Sequence, residues 1–250
     1  MSHYILIHGA WEESRMWDDV SSILQQNGHT VTAIDLPGHG ENKQPDSLVT
    51  TSGYIQAVVD VIKPLDHQVI LVGHSMNGAL ISHVAEQIPE KIERLIYVTA
   101  FLLKDGRSVL EAMQGDPDGE VLPEIVFSDD QAYATLPVSA LKRIGFHDIE
   151  ESAIQRFLPL MAEWQATEPF MAKVALSDEN FGSVPKTYIR TSIDKMVSPA
   201  LQDTMIANWE VESVLDLKSG HFPAFSVPEK LAGLLLQSAS VATVKHVSNA

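Results

Sequence analysis

The feature that most constrains this chain is the alternation of short, apolar, β-branched runs with helical patterns. "YILIH" (4–8) reads as a strand and "MWDDVSSILQQNG" (16–28) as an amphipathic helix closed by glycine. The pattern continues through "TVTAIDL" (30–36), "TSGYIQAVVDVIKPL" (51–65), "QVILVG" (68–73), "GALISHVAEQIP" and "IERLIYVTA" (92–100). The last third repeats it with "KTYIRT", "SPALQDTMIANW", "VESVLDL" and "PEKLAGLLLQSA". Parallel neighbours can be joined only by crossovers, and these are right-handed. The pattern therefore predicts an α/β fold, a mostly parallel sheet with helices on both faces.

Between 101 and 182 the alternation stops. "EESAIQRFLPLMAEW" has helical periodicity, and no run in this stretch reads clearly as a strand. We therefore expect a helical cap over 101–182, inserted after the fourth strand, with the core formed by 1–100 and 183–250. An insertion there stands above the carboxyl ends of the strands, where open α/β sheets bind ligands.

Bulk properties narrow the function. At 250 residues, 45% of them hydrophobic, the chain can bury the core of one domain. It has no cysteine, which excludes disulfides, thiolate metal sites and a cysteine nucleophile. A net charge of -16 repels phosphate backbones and anionic lipid, so neither nucleic acid nor membrane is an expected partner. "MSHYILIHGAW" enters a strand at once, with no basic n-region or apolar h-region, and no run is long enough for a membrane helix; the expectation is a cytoplasmic protein.

Chemistry enters at "ILVGHSMNGALI" (70–81): strand, tight turn with serine, helix. It nearly spells the G-x-S-x-G nucleophile elbow. Gly73 and Ser75 fit, but Asn77 stands where the second glycine belongs, and Gly78 comes one residue late. Either the elbow is opened by the extra side chain, or the Asn77 amide has found local partners. A serine hydroxyl is a poor nucleophile until a base and an orienting acid accompany it. In this architecture they follow in the order Ser, Asp or Glu, His, each in a loop after a strand. Asp194 lies just past "KTYIRT" and His221 just past "VESVLDL"; Asp105, beyond the fourth strand, is the alternative acid. Oxyanion donors are expected at the backbone N–H of Met76 and of Ala10 in "HGAW", with Gly9 allowing close approach of substrate.

The stretches "HGAW", "GHTVTAIDLPGHG", "VILVGHSM", "YVTAF", "DENFGSVPKTYIRTSIDK" and "SGH" resemble the α/β-hydrolase branch of plant methylesterases, α-hydroxynitrile lyases and their bacterial relatives. The resemblance covers nearly the whole chain and is weakest over about 105–175. It implies a six-stranded sheet lacking the first two strands of larger relatives, a triad of Ser75, Asp194 and His221, and oxyanion donors at Ala10 and Met76. Three departures bear on chemistry. The lyases carry a threonine where this chain has Gly9 and a lysine where it has Phe222, groups that handle the cyanohydrin, so their absence argues for ester hydrolysis. The common "HGG" is replaced by Glu12, Glu13 and Ser14, and the acidic pair is expected to be solvated. Asn77 is the third.

The expectation is a serine carboxylesterase that needs no cofactor or metal and takes a small, largely apolar ester. Trp11, Phe157, Met161, Trp164 and Phe222 are candidates for an apolar substrate wall. A homodimer is compatible with the sequence. Two other classes stay open: a lyase or cofactor-independent dioxygenase using the His–Asp pair as base, and a ligand-binding protein with little turnover.

Overall fold

A computed structural model describes residues 1–43 and 48–247, with side chains to 239; of the core ranges, 44–47 and 248–250 lie outside the described residues. The strands are β1 (His3–Ile7), β2 (Thr30–Ile34), β3 (Val69–His74), β4 (Ile92–Val98), β5 (Val126–Phe127), β6 (Tyr133–Thr135), β7 (Gln165–Ala166), β8 (Lys186–Thr191) and β9 (Ser213–Leu217). Six form one sheet in the order β2-β1-β3-β4-β8-β9, every pairing parallel. β3 and β4 lie at its centre, and all six residues of β3 are buried, as a strand covered on both faces must be.

The first helices are α1 (Asp18–Gln26), α2 (Thr51–Ile62) and α3 (Gly78–Gln87). Right-handed crossovers put α1 on one face and α2 and α3 on the other. The 16–28 pattern opens with a 3-10 turn, Ser14–Trp17, and ends at Gly28, whose φ of 83° lies in the left-handed region that glycine enters freely. The N-cap of α2 is Thr50, whose hydroxyl accepts the Gly53 N–H.

Between β4 and β8 come α4 (Val109–Gln114), α5 (Val138–Ala140), α6 (Glu151–Phe157) and α7 (Glu168–Met171). This stretch also holds a three-stranded antiparallel sheet, β5-β6-β7, which the helical expectation for 101–182 did not contain. Its strands are two or three residues long, too short to show a period of two. After β8 come α8 (Pro199–Ile206), α9 (Pro223–Ser226) and α10 (Pro228–Val247), the last packing on α1. Among the described residues no helix is long and apolar enough to cross a membrane.

Candidate active site

The loops that follow β1, β3, β8 and β9 converge at the carboxyl end of the sheet. β3 runs straight into the turn that presents Ser75. That residue has φ 53°, a conformation that costs a non-glycine residue energy and points its hydroxyl out of the junction. A 3-10 turn, Ser75–Asn77, leads into α3.

The close approaches need glycine at positions 73 and 78 rather than at 77. A Cβ on Gly73 would lie 2.8 Å from the Asn77 carbonyl oxygen, and one on Gly78 would lie 2.6 Å from the Phe101 nitrogen. Phe101 N–H donates to the Ser75 carbonyl at 3.0 Å, so the chain beyond β4 crosses directly over the elbow at Gly78. The glycine one residue late is therefore the one that the crossing requires. Asn77 is buried, and its Nδ2 donates to the His8 carbonyl at 2.6 Å. Its amide has a partner, in the loop after β1.

Ser75 Oγ lies 2.8 Å from His221 Nε2, and His221 Nδ1 lies 2.7 Å from Asp194 Oδ2. All three residues are buried. Burial by itself would raise the Asp194 pKa, but the adjacent His221 and the hydrogen bonds from His221, Thr99 and the Val197 N–H outweigh it and hold the carboxyl below its usual range. Oδ1 accepts from Met196 N–H at 2.7 Å and Val197 N–H at 3.0 Å, and Oδ2 from Thr99 Oγ1 at 2.6 Å. An ionised carboxylate can only accept, so His221 Nδ1 carries a proton, and Nε2 is the nitrogen that faces the serine hydroxyl. Asp105 is elsewhere, accepting the Leu176 N–H at 2.8 Å.

Around the loop after β1 the packing is tight. A Cβ on Gly9 would lie 2.8 Å from His74 Nδ1, 2.9 Å from Glu12 Oε2 and 3.0 Å from Ser75 Cβ. The expected solvated pair of carboxylates is split. Glu13 pairs with Arg15 at the surface, whereas Glu12 is 1% exposed and accepts the Gly9 N–H. Glu12 turns inward because His74, also 1% exposed, meets it at 3.0 Å. Met76 sits in the first turn of its helix, where N–H groups have no intrahelical acceptor.

The apolar candidates divide. Trp11, Met161 and Phe222 line a cavity of about 370 Å³ together with Leu136, Leu141, Leu158 and Met196, with Glu163 at its rim. Phe222 joins cavity and triad, its ring edge-on to His221 at 5.2 Å between centroids. Phe157 instead stacks on Phe225 at 3.8 Å, a core contact, and Trp164 is 46% exposed. Neither lines the cavity. The loop holding His221 is also bound from the β4–β8 segment: Asp148 accepts the Gly220 N–H at 2.7 Å. Thr99, Glu12 and Asp148 carried no local signal in the sequence. Each acts on a partner distant along the chain.

A model described as the alpha/beta hydrolase family matches residues 4–234. Methylesterase 17 of Arabidopsis thaliana is 31% identical over 252 residues, spanning 95% of this chain and 91% of its own length. Putative methylesterase 11, chloroplastic, of the same plant is 32% identical over 258 residues; the match spans 96% of this chain and 64% of that relative. Among solved structures, a pyrethroid hydrolase from Sphingobium faniae JZ-2 is similar at a TM-score of 0.85 and 28% identity, covering 96% of this chain and 97% of that one.

Proposed function

Because this chain belongs to the alpha/beta hydrolase family, we propose that it is a serine carboxylesterase with Ser75 as nucleophile, His221 as general base and Asp194 as the acid that orients it. The observation that carries this reading is the unbroken run of hydrogen-bond distances from Ser75 Oγ through His221 to Asp194 Oδ2. His221 Nε2 takes the serine proton as Oγ bonds to the ester carbonyl carbon. The oxyanion that forms is held by the N–H groups of Ala10 and Met76. His221 then gives its proton to the departing alcohol. Water, deprotonated by the same nitrogen, attacks the acyl-enzyme, releasing the acid and restoring Ser75.

The substrate is a small, largely apolar, uncharged ester, and residues 101–182 are the cap that shapes its site. The apolar walls of a cavity of about 370 Å³ support this, as do relatives named as methylesterases. Cyanohydrin cleavage is disfavoured by Gly9, since a threonine there would press its Cβ against His74 and Glu12. A net charge of -16 supports a role without nucleic-acid or membrane partners, and a sequence free of cysteine is compatible with a reducing compartment such as the cytoplasm. Ser75→Ala tests the mechanism. Loss of a triad nucleophile costs on the order of 10⁶ in kcat in the best-measured serine hydrolase, so hydrolysis of 4-nitrophenyl acetate should fall to background while circular dichroism stays unchanged. A folded variant with near-parental turnover overturns the proposal.

A further inference from the structure

We propose that Glu12 and His74 form a buried positioning pair that locks the oxyanion loop, the nucleophile and the catalytic histidine into one geometry, an inference that rests on the serine-esterase reading above.

One carboxylate oxygen does most of the joining. Glu12 Oε2 accepts the N–H of Gly9, the residue before the Ala10 donor, and faces His74 Nδ1 at 3.0 Å. Glu12 Oε1 has no hydrogen-bond partner among the described residues, so the bonding of the carboxylate is concentrated on those two groups. His74 immediately precedes Ser75, and its Nε2 lies 2.7 Å from the His221 carbonyl oxygen. A carbonyl can only accept, so Nε2 carries a proton, and a second proton on Nδ1 faces the carboxylate. Burial would lower the His74 pKa, but Glu12 outweighs it and the net shift is upward, in keeping with a doubly protonated ring.

The pair therefore acts at three points of the mechanism: the backbone ahead of Ala10, the residue ahead of Ser75, and the main chain of His221. A stabilising role alone is a poor account of it. Apolar side chains of the same volume usually fill such a space at no loss of stability, because desolvating two charges offsets their attraction. What apolar groups cannot do is fix direction. The packing leaves no slack, with a Cβ on Gly9 already too close to His74, Glu12 and Ser75. In reactions of this kind a misplacement of about 1 Å costs about a hundredfold in rate.

The test is Glu12→Gln in the full chain, assayed with 4-nitrophenyl acetate beside Ser75→Ala. The side chain keeps its size and an acceptor for Gly9 but loses the charge that holds His74. The expected result is kcat lower by about 10- to 100-fold with KM changed less than threefold, and a matching fall in the rate at which a fluorophosphonate labels Ser75. A kcat within twofold of the parent, or a loss confined to KM, overturns the proposal. If Glu12→Gln does not fold, Glu12→Gln/His74→Gln leaves no unpaired buried charge and carries the same two outcomes. Failure of both to fold assigns the pair to stability and also overturns it. Near-parental turnover by Ser75→Ala would overturn the esterase reading itself, whereas a dead Ser75→Ala beside a fully active Glu12→Gln overturns only the positioning role.

Discussion

The carboxyl end of the sheet and the segment between β4 and β8 are built by different means. At the sheet end, strand register brings the elbow, the acid loop and the histidine loop together, and their polar groups are bound to one another over distances of 2.6 to 2.8 Å. Glycine stands at the two close backbone approaches of the elbow, Gly73 and Gly78. In the inserted segment the elements are short, and Val126, Phe127, Val138 and Met171 leave large apolar side chains exposed. It is hydrogen-bonded to the catalytic loops at several points, among them Asp148 on Gly220, Asp116 on Ser198 and Gln165 on Trp11. The contrast teaches a division of labour. Backbone topology places the reacting atoms, and in the proposed function the insertion shapes what reaches them.

That division predicts where substitutions should register. The largest effect after the nucleophile belongs to the acid at the sheet end. Asp194→Asn leaves the wrong tautomer on His221, and kcat should fall by about 10⁴, the loss known for the equivalent change in a serine protease. Asp105→Asn, at a carboxylate that accepts the Leu176 N–H at the base of the insertion, should leave kcat within a few-fold. Steady-state kinetics near neutral pH checks both, and the reverse ranking would break the comparison.

The same contrast decides what could be read from the sequence. Ser75, Asp194 and His221 were legible because each occupies the first residues after a strand, a place that chain order alone defines. Asn77 and Glu12 were harder because their partners are 69 and 62 residues away. Nothing local says that an asparagine will reach His8, or that one of two adjacent glutamates will turn inward to His74. β5, β6 and β7 left no period to detect. Phe157 lies on the apolar face of a helix, as a cavity residue would, yet packs on Phe225. Helical spacing identifies a buried face without saying what it is buried against.

The seam between the regions offers a pH test. His39 bonds through Nδ1 to the Glu12 carbonyl at 2.8 Å and through Nε2 to Tyr54 at 3.0 Å, and Gln165 ties Tyr54 to Trp11. Burial pulls the His39 pKa from 6.5 down to about 3. Above pH 6.5 the ring is neutral folded and unfolded. Below it only the unfolded chain takes up the proton, so stability falls with pH. By pH 5 the cost is about 2 kcal/mol. His8, also shifted down by burial, acts with the same sign, while His74, shifted up, loses its contribution only as pH rises and adds no slope below 6.5. Melting temperature should drop by about 4–8 °C between pH 6.5 and 5. His39→Gln should reduce that slope and leave the share of His8, and an unchanged slope would show that His39 does not titrate at the seam.

Asn77→Gly is the next smaller test. It removes the bond to His8 and frees the backbone at the start of α3, for a loss of about 1–2 kcal/mol. Both melting temperature and kcat should fall, with KM little changed, because the bond spans the elbow and the oxyanion loop. A higher kcat with no thermal loss would mean instead that Asn77 holds the elbow open.

The smallest effect should come from the insertion, and it should be on selection alone. Glu163 is exposed and is the one charged residue among the described residues that line the cavity. A charge in that setting is screened by water, and its interaction with a bound group at the mouth is of the size of a surface ion pair, worth a factor of about two to five. Glu163→Gln should therefore raise kcat/KM for a small ester bearing a carboxylate by that factor, mainly through KM. A neutral methyl ester of the same length should be turned over as before. Raising the salt concentration should shrink the difference between the parent and the variant, since only the parent repels the anion. Equal gains on both esters would point to a change in cavity shape. A change in kcat on the neutral ester would mean that the insertion reaches the reacting atoms, and the division between the two regions would then fail.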